Sequence, residues 1–324
     1  MGLAPSAQRA IPGSEVHERA LGFPNECNGI SVRLITEADL PIAAAICQKA
    51  FNDFNASVGL APEFPPPEVA DVPRELLGPA LSDGFRGFAA VKDGEVVGSA
   101  LVSLQDEVAA IGPVSSSVAG GGRLVVQACM KAAAEAGFRA VRLHQVAANT
   151  RSFSLYLSLG FDPIVSVNWY EGSARGPAPA GYTAATLTED DVEACSTLHF
   201  AVCKVHRHNE IRACIGSPHP NCVVRDAAGK VAAYSTGCHL GGHSAARDEE
   251  ALARLIVHQS EAIAAARDAG APLPPVLLLV PHTYPGFMRR LPSQGFRLMR
   301  QIVQMGYGPR AEPSGGFYLP SMSY

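Results

Sequence analysis

The chain has 324 residues, 47% of them hydrophobic and 17% charged, with a formal net charge of −4. That length allows about two domains, and the apolar fraction excludes a chain disordered throughout. The balance of 26 basic against 30 acidic residues excludes the basic surface that nucleic acid or an anionic membrane needs. No run approaches the about 18 consecutive apolar residues of a membrane-spanning helix. Residues 1–29 read as an arm. Pro12, Gly13 and Pro24 break it, and Glu15, Glu18 and Arg19 interrupt any apolar core of a signal peptide. The expected location is the cytoplasm, where the eight cysteines, with no CxxC pair among them, act mostly as small buried hydrophobes.

Val32 to Ile35 reads as a strand, followed by a helix start at Thr36-Glu37-Ala38-Asp39, with Thr36 as N-cap and acids in the first turn. Ile42, Ile46, Ala50 and Phe51 continue that helix at helical spacing, and a Pro-rich loop runs from Pro62 to Pro67. Arg74 to Leu81 is a second helix. Asp93-Gly94 between the apolar runs 87–91 and 96–103 marks a hairpin. A strand at 108–115, a helix from Leu124 to Ala136 ended by Gly137, a strand at 139–146, a helix at 152–158 and a strand at 164–170 complete the first half. Residues 173–181, rich in Gly, Pro and Ala, form a linker.

The pattern then restarts. Tyr182 to Ala185 is a strand, and Thr188-Glu189-Asp190-Asp191 repeats the first helix-start signature. A second hairpin lies at 221–236, a helix at 248–268, an aliphatic strand at 276–280, a short helix at 287–291 and a last strand at 300–305. The expected organisation is an α/β protein of two like domains, 30–172 and 182–324, each a mixed sheet flanked by helices.

Two segments carry chemistry. In the first, Ser115, Ser116 and Ser117 lead through Val118 and Ala119 to Gly120, Gly121, Gly122 and Arg123, between a strand and a helix. Glycines let a ligand approach the backbone, and helix N-terminal N–H groups favour an anion, here with Arg123 adding a cation. The second runs from Asn149 through Ser152 and Leu155-Tyr156 to Gly160-Phe161. The spacing Ser117-x-x-Gly120-x-Gly122 resembles the Gln/Arg-x-x-Gly-x-Gly/Ala pyrophosphate loop of the GNAT acyltransferase superfamily, with Ser in the first slot. The segment 149–161 is similar to that superfamily's Asn-x-x-Ala/Ser-x-x-Leu-Tyr-x-x-x-Gly-Phe motif. Phe51 to Asn55 with Pro62 to Pro67, and Tyr318 to Ser321, look like a bacterial tandem-domain group of the same superfamily.

The resemblance implies acyl-CoA, acetyl-CoA first among them, as co-substrate and a small-molecule amine as acceptor, attacked directly without an enzyme nucleophile or a metal. It implies that Asn149 bonds the pantetheine arm, that backbone N–H groups near Val114 polarise the thioester oxygen, and that Tyr156 protonates the departing thiolate. It also implies a carboxylate base on a central strand. Asp106 and Glu107 stand first, or form a solvated hairpin pair. Asp53, Asn55 and His144 are expected on the acceptor side, although Asp53 and Asn55 also read as a helix end and His144 as a hydrogen-bonded strand residue. Cys129 lies within a helix as packing.

The second half lacks the glycine loop and the Asn–Tyr pair. Its acids Asp248, Glu249 and Glu250 would repel a diphosphate. It is expected not to bind CoA but to complete the acceptor pocket. Cys203, His206 and His208, and Cys238, His239 and His243, match no zinc spacing. The chain is expected as a monomer or homodimer. An acyl-CoA-binding module without turnover, or other chemistry on a CoA thioester, are the competing readings.

Overall fold

The computed structural model describes residues 26–67, 71–322 and 324, so the expected arm lies, up to residue 25, outside the described residues. The chain opens with β1 (Glu26–Cys27) and β2 (Ile30–Leu34), an antiparallel pair turned at Asn28 and Gly29. A single 3₁₀ turn leads into α1 (Leu40–Ser57). Asp39 fixes that entry: its carboxylate accepts the Thr36 N–H and hydroxyl, both at 2.7 Å, and pairs with Arg33 at 2.6 Å. The guanidinium holds the Asp39 carboxyl well below the usual carboxylate range. The second half uses the same device with Thr188, Asp191 and Arg225.

Then follow α2 (Val72–Leu77), β3 (Phe85–Lys92), β4 (Glu95–Ser103) and β5 (Ala109–Ser116). The β3–β4 turn places Asp93 and Gly94 at φ 52° and 85°, as a two-residue hairpin with right-handed strand twist requires. Next come α3 (Gly121–Glu135), β6 (Val141–Val146), α4 (Thr150–Ser158) and β7 (Asp162–Gly172). The second half contains β8 (Tyr182–Ala185), α5 (Val192–Cys203), α6 (His208–Ala213), β9 (Cys222–Asp226), β10 (Val231–Ser235) and β11 (Ser244–Ala246). It ends with α7 (Glu249–Asp268), β12 (Val276–Pro281), α8 (Pro285–Arg290), β13 (Phe296–Tyr307) and β14 (Phe317–Leu319).

The strands form a nine-stranded sheet, ordered β1-β2-β3-β4-β5-β6-β13-β7-β12, and a five-stranded sheet, ordered β14-β11-β10-β9-β8. The order reveals a strand exchange that the linear repeat does not contain. β13, the last long strand of the second half, pairs antiparallel with β6 of the first, and β7 of the first pairs with β12 of the second. β7 and β13 also pair with each other. Where they meet, a Cβ on Gly172 would stand 2.3 Å from the Gly295 carbonyl oxygen, so only glycine fits there. Met305 and Tyr307 of β13 thus complete the first half's core, with Leu124, Val125, Cys129 and Met130 of α3. Tyr170 of β7 joins the second half's core.

Candidate functional site

β5 and β6 run parallel, but they pair only at Ala109 with Val141 and Ala110 with Arg142. A bulge opposite Leu101 marks the place where β5 leaves that ladder, at Gly112 and Pro113. Beyond it the two strands splay into a slot. Ser117 donates its N–H to Val97 of β4 at 2.9 Å. Backbone direction alternates along a strand, so Ser115 shares that side and Val114 and Ser116 aim their N–H groups into the slot.

At the open end of the slot stands the N-terminus of α3. Gly120, at φ 91°, precedes it without a side-chain cap. The first helical bond runs from Leu124 N–H to Gly120 O, so the N–H groups of Gly121, Gly122 and Arg123 remain for a ligand. A Cβ on Gly121 would sit 2.4 Å from Ser116 Oγ, whereas around Gly122 the nearest atoms are 4.0 Å away. Gly121 is thus fixed by packing against the strand, and Gly122 has room on its outer side. Arg123 donates to Ser158 Oγ of α4 at 2.5 Å, which lays the cation along the α3–α4 groove.

The other wall carries Asn149, Ser152 and Tyr156, three and four residues apart and therefore on one face of α4. Asn149 Oδ1 caps the helix by accepting the Ser152 N–H at 3.1 Å, leaving Nδ2 as the donor of that amide. Tyr156 is 6% exposed and packs edge-on against Phe161 at 6.0 Å. Burial pushes its phenol up, which keeps the hydroxyl a proton donor. The structure thus sets the Val114 and Ser116 backbone, the N-terminus of α3 at Gly120 to Arg123, and Asn149, Ser152 and Tyr156 beside the parting of β5 and β6, whereas Ser115 and Ser117 turn their N–H groups toward β4.

Other expected residues lie elsewhere. Asp106 and Glu107 are eight and seven residues before Val114, on the order of 20 Å along the strand. Asp106 accepts the backbone N–H groups of Asn209 and Glu210, each at 3.0 Å, and Glu107 accepts that of His206 at 3.0 Å. Asp106 holds the start of α6 and Glu107 the residue two before it, so both carboxylates tie the second half to the first and neither faces the slot as a base. Asp53 is exposed and pairs with Lys49 at 2.6 Å. Asn55 is buried and donates to Ala61 O at 2.9 Å and to Glu63 at 3.2 Å, fixing the Pro-rich loop from within. Asp53 thus lies at the surface of α1 and Asn55 inside the base of the loop.

The loop held by Asn55 lines the face of the sheet opposite α3. Asn52 grips Phe64 through both of its backbone groups, at 2.9 and 3.0 Å. Glu63 pairs with Arg300 of β13, whose guanidinium lies 4.8 Å over the Trp169 ring. Glu63, Arg300 and Trp169 carry no sequence signal: none belongs to a motif or a local pattern that joins it to the others. Cys47 of α1 faces Ser115, with burial pushing its thiol up to about 12. Second-half loops approach the same side: the stacked rings of His219 and His239 are 4.0 Å apart, and the Glu75 carboxylate of α2 acts on His219. His144 lies on β6, its Nδ1 3.1 Å from the Met322 carbonyl.

The matching place in the second half is filled. β14 pairs with β11 and packs Leu319 into one core with Ala246 of β11 and Val280 of β12. Tyr284, which opens α8, accepts the Tyr318 N–H at 3.0 Å and so anchors that insertion. The N-terminus of α7 is capped by Asp248, which accepts the Ala251 N–H at 2.8 Å, and Glu249 beside it pairs with Arg290. Among the described residues, no group of three or more His, Cys, Asp or Glu side chains is placed to hold a metal ion, and no helix is long and apolar enough to cross a membrane.

Residues 59–161, which include the slot, the glycine loop and the Asn149–Phe161 segment, match the model of the acetyltransferase (GNAT) family. No curated protein matches the chain. Among solved structures, a candidate acetyltransferase from Pyrococcus horikoshii has a TM-score of 0.68 at 14% identity, covering 92% of this chain and 96% of that one. A GCN5-related N-acetyltransferase from Sphaerobacter thermophilus has a TM-score of 0.58 at 15% identity, over 88% and 98% of the two chains. A tandem GNAT protein from the clavulanic acid biosynthesis pathway has a TM-score of 0.52 at 13% identity, over 88% and 99%. At these identities the likeness is one of fold, and it runs through both halves. Residues 59–161 therefore match the GNAT acetyltransferase family, and the chain as a whole has the tandem GNAT fold.

Proposed function

We propose that the chain transfers an acyl group from acyl-CoA, acetyl-CoA first among the candidates, to the nitrogen of a small-molecule amine in the cytoplasm. The observation that carries this reading is the slot itself. Strands part beyond Ala110, an uncapped helix N-terminus closes one end, and a buried phenol lies along the wall. Diphosphate oxygens suit the N–H groups of Gly121, Gly122 and Arg123. The pantetheine amides suit the Val114 and Ser116 backbone and the Asn149 amide. The thioester carbonyl then lies against the β5 backbone, whose N–H donors stabilise the oxyanion as the amine attacks. The N–C bond forms, the C–S bond breaks, and the Tyr156 hydroxyl gives its proton to the sulfur.

Cys129 is fully buried with its thiol pushed up, which supports direct attack over an acyl-cysteine intermediate. The second half is read as a partner that takes no CoA, because β14 occupies the position of the slot and acids front its helix. It closes the acceptor side of the first. Seven buried free cysteines support a reducing compartment. Calorimetric titration of the full chain with acetyl-CoA tests the site. Gly122→Glu should weaken binding at least about tenfold, since it sets a carboxylate where the diphosphate lies, close to 1.4 kcal/mol or more. Equal affinity in both proteins would refute the assignment of the loop.

A further inference from the structure

With Asp106 and Glu107 bound to backbone N–H groups of residues 206–210, the first half's slot has no carboxylate base from that pair. We propose that His144 receives the acceptor's proton through Nε2, and that the chain's C-terminal tail fixes the imidazole for this task through the Met322 carbonyl. The inference rests on the acyl-transfer reading and adds a residue and a second-half contribution to it.

Position comes first. Continuing the β5–β6 register past Ala110 and Arg142 sets His144 opposite Gly112, at the throat where the strands begin to part. Leu143 belongs to the core under α3 with Tyr156, so His144, one residue on, faces the other side of the sheet. Val146 shares that side and packs with Trp169 and Met322. The thiolate's proton donor and His144 thus approach the throat from opposite faces, as attack and departure at one carbonyl demand.

The hydrogen bonding settles which nitrogen acts. A carbonyl can only accept, so the 3.1 Å contact with Met322 requires the proton on Nδ1. Nε2 then carries a lone pair, and it is buried without any hydrogen-bond partner. An unpaired buried acceptor is costly unless a ligand supplies the donor. Burial lowers the His144 pKa to about 4, with the Met322 contact opposing that shift, so the ring is neutral across the physiological range. No charged side chain contributes to the shift: burial and the Met322 carbonyl are its causes. Gln304, directly across the ladder on β13, and Arg142, two residues along β6, are its polar neighbours in the ladder, and Glu63, Arg300 and the His219–His239 stack lie farther along the same side.

A ring of such low basicity does not strip a free ammonium ion. It fits the acceptor nitrogen after attack, when the new N–C bond has made the remaining N–H acidic. His144 takes that proton as the C–S bond breaks and Tyr156 protonates the sulfur. Solvent then returns the proton from the imidazolium to the phenolate, so the enzyme is restored and the products are amide and free thiol.

The test combines spectroscopy with kinetics on the full chain. The ¹⁵N spectrum of the histidine rings, with His144 assigned from His144→Gln, should show an Nδ1–H tautomer from pH 6 to 9. An Nε2–H tautomer or an imidazolium near neutrality overturns the proposal whatever the activity. Removing residues 322–324 should release the ring to the Nε2–H form; if that chain does not fold, the wild-type spectrum still decides. In thiol-release assays with acetyl-CoA and an amine panel, His144→Gln should lose about 10²–10⁴-fold in kcat with the KM for acetyl-CoA within a few-fold. Free imidazole should partly restore turnover in His144→Ala. Unchanged kcat in His144→Gln overturns the proposal. A wild-type chain that binds acetyl-CoA, shows the Nδ1–H tautomer and releases no thiol with any amine overturns the transfer reading instead.

Discussion

Replacing Tyr156 by Phe removes one oxygen and leaves the ring. The ring does the packing: it is 6% exposed, lies 6.0 Å from the Phe161 ring, and shares a core with Cys129 and Met130. Among the described residues the hydroxyl donates to no protein group, so the substitution strands no buried partner. Stability should therefore change by less than about 0.5 kcal/mol. Acetyl-CoA affinity should change by no more than a few-fold, because in the proposed binding mode backbone groups and Asn149 would hold the phosphates and pantetheine arm. The barrier is another matter. Loss of a positioned acid slows proton transfer by about 10²–10⁴-fold, or about 3–5 kcal/mol on the activation free energy. Because burial raises the phenol above its ordinary value, the wild-type plateau should extend at least to about pH 10 on the acid's account. The assay is steady-state thiol release beside calorimetry and a melting curve. If Tyr156→Phe keeps full kcat, the phenol is a core residue only. A melting point that collapses with kcat would equally refute the division between ring and hydroxyl.

Two further outcomes follow from the placements described above. Asp106→Ala removes the acceptor of two N–H groups at the start of α6, which should cost about 1–2 kcal/mol in chemical denaturation. Its turnover below the melting range should stay within twofold of wild type, and a large kcat loss would return Asp106 to the reaction. Stability should also fall on the acid side of neutrality. Burial lowers His144 and His239 to about 4, His199 to about 3, and His243 well below its ordinary value. The unfolded chain therefore binds more protons than the folded one below about pH 6.5, and stability declines as pH falls through that window. At pH 5.5 each such histidine costs about 1.4 kcal/mol. Denaturation midpoints that are flat from pH 7 to 5.5 would contradict this.

What could be read in the sequence was whatever is local. The hairpin at Asp93-Gly94 and the paired Thr36–Asp39 and Thr188–Asp191 entries rest on backbone angles and bonds within a few residues. So does the Asn149–Tyr156 face. Three glycines and an arginine look like loop, so the sequence suggests a start for α3 at Leu124; the structure begins the helix at Gly121, since packing against Ser116 overrides glycine's poor propensity. α6 and β14 are too short to show a period. Pairs that join distant segments left no local trace. His144 and Met322 are 178 residues apart, and Glu63 and Arg300 are 237 apart. The strand exchange was hidden for a different reason. Alternation says which face of a strand is buried, not which neighbour it takes. The runs at 164–170 and 300–305 are similar enough that either suits β6.

That exchange gives the second half a larger share in the first half's site than a covering domain would have. The β6 wall of the slot is supported along its outer edge by β13, from Ile302 beside Val146 to Tyr307 beside Val141. The ring on that wall is held from above by the tail of the same half, and Arg300 of β13 fixes Glu63 in the loop that lines the acceptor side. The same tail, a few residues earlier, fills the second half's own place between β11 and β12. One segment thus does two things that depend on each other. β14 is seated against β11, and three residues beyond it the Met322 carbonyl meets His144. On the proposed reading, the position of this one strand both closes the second half and completes the wall of the first half's slot.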